Sequence, residues 1–444
     1  MKQEIKLSDH FSYAKILRFT APSIGMMIFT SVYGVVDGFF VSNFVGKTPF
    51  AAVNFIYPLI MILSAIGFMF GAGGSALIAK TMGQGKPKEA QRQFSLFVYT
   101  TIVLGITVAA LGVIFLRPIA VWLGAEGAML EDCITYGRIL MISLPFCMLQ
   151  FEFQSLFITA EKPQIGLWVT VASGVTNMVL DALFMAVFSW GVFGAATATA
   201  ISQIVGGVLP LIYFARPNTS RLRLGKTRID GTALFKACTN GSSELMSNIS
   251  MSVVSMLYNV QLLRYAGEDG IAAYGVLMYV NFVFLAIFIG YSVGIAPVIS
   301  YHYGAENYPE LKSLRKKSLI IIVWCSQVML AMALLLAKPL SVMYVGYDPD
   351  LFELTMRAFF ISAFSFLFSG IAIFGSSFFT ALNDGVTSAI ISFLRTLVFQ
   401  MAAVLLFPLV WGIDGIWFSV VAAEMMAVAV TIAFLIGKRH QYHY

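Results

Sequence analysis

The sequence predicts an all-α integral membrane protein, with twelve transmembrane helices arranged as two pseudo-symmetric six-helix bundles. Three observations carry that prediction: an apolar composition, a one-sided distribution of basic residues, and an internal repeat at a constant offset.

Of the 444 residues, 59% are hydrophobic and 11% are charged, against roughly 45–50% and about 25% in soluble domains. A chain with so few charges cannot cover a water-facing surface. A membrane-crossing helix needs about 20 mostly apolar residues. Such stretches fall at 15–44, 49–78, 93–116, 131–158, 163–188, 193–215, 232–265, 270–300, 316–337, 352–380, 385–408 and 413–437. Several exceed what a perpendicular helix requires, so tilted or bent helices are expected. The polar segment 1–10 precedes an apolar run too long for a signal peptide and is read as leading into a retained first helix.

With both termini on one face, 21 Lys and Arg fall on that face and four (Lys47, Arg117, Arg264 and Lys338) on the other. Positive residues accumulate on the cytoplasmic side, so the split predicts cytoplasmic termini and an even number of spans. The net charge of +6 is thereby a matter of topology, and no nucleic-acid partner is implied.

An offset of 221 residues maps the first half onto the second. Lys15 meets Lys236, Ser31-Val32 meets Ser252-Val253, Gly46 meets Gly267, and Ala51-Ala52 meets Ala272-Ala273. The register persists through Gly73 and Gly294, Gly83 and Gly304, Glu89 and Glu310, and Pro118 and Pro339. It is intact where Phe153, Ser155, Phe157, Thr159 and Ala160 meet Phe374, Ser376, Phe378, Thr380 and Ala381, and where Trp190-Gly191 meets Trp411-Gly412. An even number of spans per repeat makes the halves parallel, a transporter architecture with its site expected between them near mid-membrane. The predicted division is 1–215, a basic cytoplasmic linker 216–231, and 232–444.

Gly34/Gly38, Gly67/Gly71 and Gly290/Gly294 have the four-residue spacing that lets helix backbones approach. The run Gly71–Ser75 lacks the Lys-Ser/Thr ending of a phosphate loop and lies inside an apolar helix, which favours packing. Cys133, Cys147, Cys238 and Cys325 show no metal or disulfide spacing. His440 and His443 read as a solvated tail, and no constellation of an enzyme active site or bound cofactor is present.

Asp37, Asp181, Glu244 and Glu424 are acids that stand inside apolar spans. Such a group costs about 2.5–3.5 kcal/mol at a helix centre on insertion scales, so it marks a functional site by default. Asn177 and Asp181 are four apart and share a helix face. With Asp37 they offer oxygen ligands to a desolvated Na⁺ or a pocket for a proton. Thr199 could add an oxygen, although a lone Thr in a membrane helix usually bonds its own backbone.

Glu244, Asn248, Ser255 and Asn259 form a polar stripe on the seventh span, with Met251 beside it and Asn281 on the eighth. Flexible Met and flat aromatic side chains suit planar apolar ligands, so Glu244, Asn248, Met251, Ser255 and Asn281 form the predicted substrate surface. Arg395 is expected to pair with Glu424 on the next span.

Thr20-Ala21-Pro22, Val36-Asp37-Gly38-Phe39-Phe40-Val41, Asn177 to Asp181, Gly83-Gln84-Gly85 and Tyr303-Gly304-Ala305 together resemble the multidrug and toxic compound extrusion (MATE) family over nearly the full length. The resemblance implies two bundles exposing a cleft alternately to the two sides of a bacterial inner membrane. It implies export of small organic cations in exchange for Na⁺ or H⁺, and no other cofactor. The family's cation site falls on Asp37, Asn177, Asp181 and Thr199 with Tyr136 as neighbour, and its bending helix on Pro22. The surrounding partner is membrane lipid, and the chain reads as a monomer. The alternative from the same superfamily is a lipid-linked oligosaccharide flippase, whose anionic cargo would call for a cleft lined by Arg and Lys.

Overall fold

The computed structural model describes residues 5–444; residues 1–4, with the Lys2 of the charge count, and the side chains of Lys47, Thr48, Phe50 and Ala51 lie outside the described residues. Helices α1 (Tyr13–Phe44), α2 (Lys47–Gly83), α3 (Pro87–Trp122), α4 (Gly127–Thr159), α5 (Pro163–Asp181) and α6 (Gly191–Ala215) make the first six spans. The fifth continues from α5 through a π-helical stretch, Ala182–Val187.

The second half opens with α7 (Gly231–Gly304), followed by α8 (Tyr308–Val345). Helices α9 (Pro349–Ser362) and α10 (Phe366–Ala381) join through a single 3₁₀ turn. Helices α11 (Gly385–Phe393) and α12 (Phe399–Leu406) join through a second π-helical stretch, Leu394–Val398, and α13 (Pro408–Trp411), α14 (Ile413–Gly437) and α15 (Arg439–Tyr442) complete the chain.

Two spans share α7. At Gly267 the backbone leaves the helical region (φ 62°, ψ −149°) and the chain reverses there, a conformation only glycine adopts without strain. The sequence predicts a gap between spans at 266–269, and the structure narrows it to this residue. Helices α3 and α8 also start earlier than the apolar runs at 93 and 316. Each has Pro in its first turn, where the missing N–H is harmless, and each continues as a charged turn that a hydropathy reading passes over.

The segment from Leu7 to Phe11 and the C-terminal tail lie at one end of the bundle. The Leu7 amide donates to Glu161 beyond α4 (2.8 Å), the Phe11 amide donates to Glu310 beyond α7 (2.9 Å), and Lys438 Nζ reaches Asp384 beyond α10 (2.6 Å). Arg117–Glu131 (2.8 Å), between α3 and α4, and the Arg357–Asp414 pair, between α9 and α14, join helices at the opposite end.

The halves meet along glycine-lined crossings near the end that carries the C-terminal tail. A methyl group at Gly73 would lie 2.0 Å from the Ala237 carbonyl oxygen, and one at Gly241 would lie 1.9 Å from that of Met69. The equivalent contact places Gly290 and Gly294 against Ser23 and Ile24 of α1. Helix α1 thus packs on the second arm of α7 as the first arm packs on α2, which is what a two-fold relation between the repeats requires. Gly67 and Gly71 pack on Met148 and Glu152 of α4, whereas nothing lies within 4 Å of a Cβ placed on Gly34 or Gly38. The expectation of close packing at Gly34/Gly38 is therefore corrected: the spacing permits an approach, but here no neighbouring helix reaches that face of α1.

Segment 216–230 is a strap without helix. Thr227 donates to the Arg92 carbonyl (2.8 Å), the Gly225 amide donates to Ser95 (3.0 Å), and Arg221 sits 3.5 Å from Glu161. Asp230 then caps α7 by accepting from the amides of Thr232 and Ala233.

Candidate cation and cargo site

The close approach of α1 to α5 sets the geometry in the first half. A Cβ on Gly174 would fall 2.4 Å from the Phe29 ring and 2.8 Å from the Tyr33 ring. Asp37 stands one turn beyond Tyr33, and Asn177 and Asp181 lie one and two turns beyond Gly174. The crossing accordingly brings the Asp37 carboxyl against both Asn177 and Asp181.

Asn177 and Asp181 are 2% and 0% exposed, so water does not reach them. Asp37 Oδ1, Asn177 Oδ1 and both Asp181 carboxyl oxygens lie buried without a well-formed protein hydrogen bond. Buried oxygens are normally paired. Asp37 is half-buried, but a carboxyl in contact with the fully buried Asp181 calls for a positive charge, whether a proton, Na⁺ or an organic cation.

Tyr136 from α4 is 1% exposed and stands within electrostatic range of both carboxyls. Thr199 is half-buried and donates to its own helix at Ala195 (3.1 Å), which leaves its lone pairs as what it can offer. A hydrogen-bond chain braces the site from behind: Gln150 Nε2 donates to Ser173 Oγ (3.2 Å), and Ser173 donates to the Ser202 carbonyl (2.8 Å). The π-helical stretch begins right after Asp181; such stretches are rare and concentrate at functional sites.

Two further side chains stand near this site, and one more buried acid stands elsewhere in the first half. Tyr33 and Tyr57 both stand within range of Asp37. Tyr33 shares a helix face with Asp37 by its spacing of four, whereas Tyr57 comes from α2 and no local pattern marks it. Glu152 is 0% exposed with both carboxyl oxygens unpartnered. Its signal was available, since an acid inside the apolar run 131–158 is as conspicuous as Asp37.

Pro22 is buried inside an α1 that continues through it. Its neighbours Ser23 and Ile24 are the residues that pack under Gly290 and Gly294. Bending at this proline would act directly on the contact between the halves.

In the second half, Arg395 in the π-helical stretch grips both oxygens of Glu424 through Nε (3.1 and 2.9 Å) and Nη2 (2.9 Å). Glu244 lies in range of the same guanidinium. Asn248 donates back to the Glu244 carbonyl (2.8 Å), Ser255 and Asn281 are half-buried, and Met251 is exposed. A stacked pair, Tyr258 and Tyr274, with ring centroids 5.3 Å apart, bridges the two arms of α7, and the Tyr258 hydroxyl donates to Gln400 Oε1 at 2.8 Å.

Among the described residues, twelve spans in two related halves, with carboxyls meeting at the α1–α5 crossing, have the architecture of a membrane transporter. The sequence model of the MatE family matches the chain twice, at residues 22–183 and 245–406. The chain belongs to the MatE family, and it is a multi-pass membrane transporter rather than an enzyme. It is 25% identical over 434 residues to the multidrug export protein MepA of Staphylococcus saprophyticus, covering 96% of this chain and 94% of that one. It superposes on a crystal structure of a MATE protein in complex with MaL6 with a TM-score of 0.94 and 20% identity, covering both chains completely. A multidrug resistance MATE transporter in an outward-facing conformation gives 0.93 at 20% identity, covering 100% of this chain and 99% of that one.

Proposed function

We propose that this protein exports lipophilic organic cations across a bacterial inner membrane, in exchange for Na⁺ or H⁺ moving inward, by alternating access. The observation that carries the reading is the contact of Asp37 with Asp181 and Asn177, in which buried oxygens lack protein partners. Occupancy of that site by the coupling cation favours one arrangement of the halves and its departure favours the other, so the two gradients are linked through a difference in affinity between states.

The organic cation is taken up along Glu244, Asn248, Met251, Ser255 and Asn281, with Pro22 as the bending point of α1. The bodies that move are 1–215 and 232–444, joined by 216–231. Both termini are cytoplasmic, as the 21-to-four division of basic residues implies. Support for the cargo class comes from the relative named as a multidrug export protein.

The test is ethidium efflux from cells and proteoliposomes with the sodium and proton gradients collapsed separately. Efflux against a concentration gradient should stop when the coupling gradient is removed. Uphill efflux with both gradients gone and no nucleotide present would overturn the proposal.

A further inference from the structure

We infer that the end bearing the C-terminal tail carries a site for an anionic glycerophospholipid, between α8, α10 and that tail. A cavity of about 730 Å³ there is lined by Lys312, Arg315, Lys316 and Arg439, together with His440 and His443. No acidic side chain is among its lining residues. A second cavity of about 340 Å³ shares Arg315, Leu319 and Arg439 with the first and is otherwise walled by Val323, Ile371, Ile432, Leu435 and Ile436. One space is therefore rimmed by cations, and the adjoining one continues from the shared Arg315 and Arg439 into an aliphatic wall. That pairing matches a phosphate headgroup joined to an acyl chain.

The cationic part is built rather than incidental. Arg315 lies 5.0 Å above the Tyr444 ring, which stacks edge-on against Phe378. The guanidinium is thus held in place, while its Nε is buried without a partner. Lys438, gripping Asp384 and Thr387 at 2.6 Å each, anchors the tail so that Arg439, His440 and His443 turn toward the cavity. The aliphatic part opens between transmembrane helices α8, α10 and α14, where lipid chains are the surrounding medium. Basic pockets between helices on the cytoplasmic side suit anionic headgroups, and each basic residue near the surface adds attraction that salt screens. A free phosphate could satisfy the cationic half, but it would leave the aliphatic half without purpose.

The test uses the full-length protein in neutral detergent and reads both bound lipid by native mass spectrometry and the thermal midpoint. Phosphatidylglycerol should be retained at least tenfold more than phosphatidylcholine of the same chains and should raise the midpoint. Lys312→Gln and Arg439→Gln, both at exposed positions, should each lower that preference severalfold, and Arg315→Gln should lower it most. Ile432→Trp, filling the aliphatic part, should reduce retention without changing the charge. Equal retention of the two lipids would overturn the site. So would stabilisation by inorganic phosphate or glycerol phosphate equal to that by the intact lipid, combined with indifference to Ile432→Trp, since that outcome assigns the cavity to a free anion.

Discussion

Gly83 and Gly304 stand at equivalent places in the two repeats, and each rests on the helix of the other. A methyl group on Gly83 would lie 2.0 Å from the Tyr301 carbonyl oxygen, and one on Gly304 would lie 2.1 Å from that of Lys80. Lys80 and Tyr301 are themselves related by the 221-residue offset, so the pseudo-two-fold axis runs through this pair of contacts.

Gly83→Ala should therefore destabilise the arrangement observed here. Backbone atoms cannot move aside as a flexible side chain does, and overpacking at such a point costs about 1–3 kcal/mol. A lower thermal unfolding midpoint in detergent, with Gly34→Ala unchanged as the control, is the expected result. An unaltered midpoint for Gly83→Ala would show that the helices separate there at little cost.

Asp37→Asn preserves volume and hydrogen-bonding capacity but removes the ability to change charge. The variant should insert and fold like the wild type and should lose gradient-driven export. Asp181→Asn should reduce coupling as well, because Asp181 is the partner carboxyl. Gradient-driven efflux in proteoliposomes checks both, and wild-type rates from Asp37→Asn would move the coupling site to the second half, to Glu244.

Removing Glu424 leaves the partly buried Arg395 guanidinium with only the more distant Glu244 in range. Glu424→Gln should cost about 3–5 kcal/mol, whereas the double replacement Arg395→Met with Glu424→Leu should recover most of it. Thermal midpoints of the two single variants and the double variant form the cycle. Strictly additive losses would show that the two side chains do not support each other.

Asp384 lies outside the membrane-spanning segments, and its carboxyl is held below the ordinary range. Burial pushes it up, but the bonds from Lys438 and Thr387 outweigh that effect. A depressed carboxylate stabilises the fold above its unfolded pKa of about 3.9 and loses that contribution as the pH falls through the lower folded value. The tail at 438–444 should consequently stay docked from pH 8 to pH 5 and loosen only in stronger acid. Hydrogen exchange corrected for intrinsic rates should show this, and Lys438→Gln should loosen the tail already at neutral pH.

The spans and the repeat are legible in the sequence because apolar length is imposed by the bilayer itself. Asp37 and Asp181 are legible for the same reason, as acids where the solvent is hydrocarbon. Helix ends are less so: the first turns of α3 and α8 are charged and project beyond the apolar run. Tyr57 could not be placed from sequence, since its approach to Asp37 depends on how α2 leans on α1. Gly34 and Gly38 show the converse, a packing signature whose partner this arrangement does not supply. Glu152 is legible on the same ground as Asp37, as an acid within an apolar run.

The strap at 216–230 gives the two repeats an unequal inheritance. Through Ser95, Arg92 and Glu161 it is fastened to α3 and to the turn after α4, so it belongs mechanically to the first repeat. Covalent continuity is needed only for the few residues before Asp230, and Ile229 beside it is 91% exposed. A gene divided at that codon should yield two polypeptides that reassemble in the same membrane, recovered together on a tag carried by either one. A division at residue 216 would strip the first polypeptide of its own fastening and should assemble poorly.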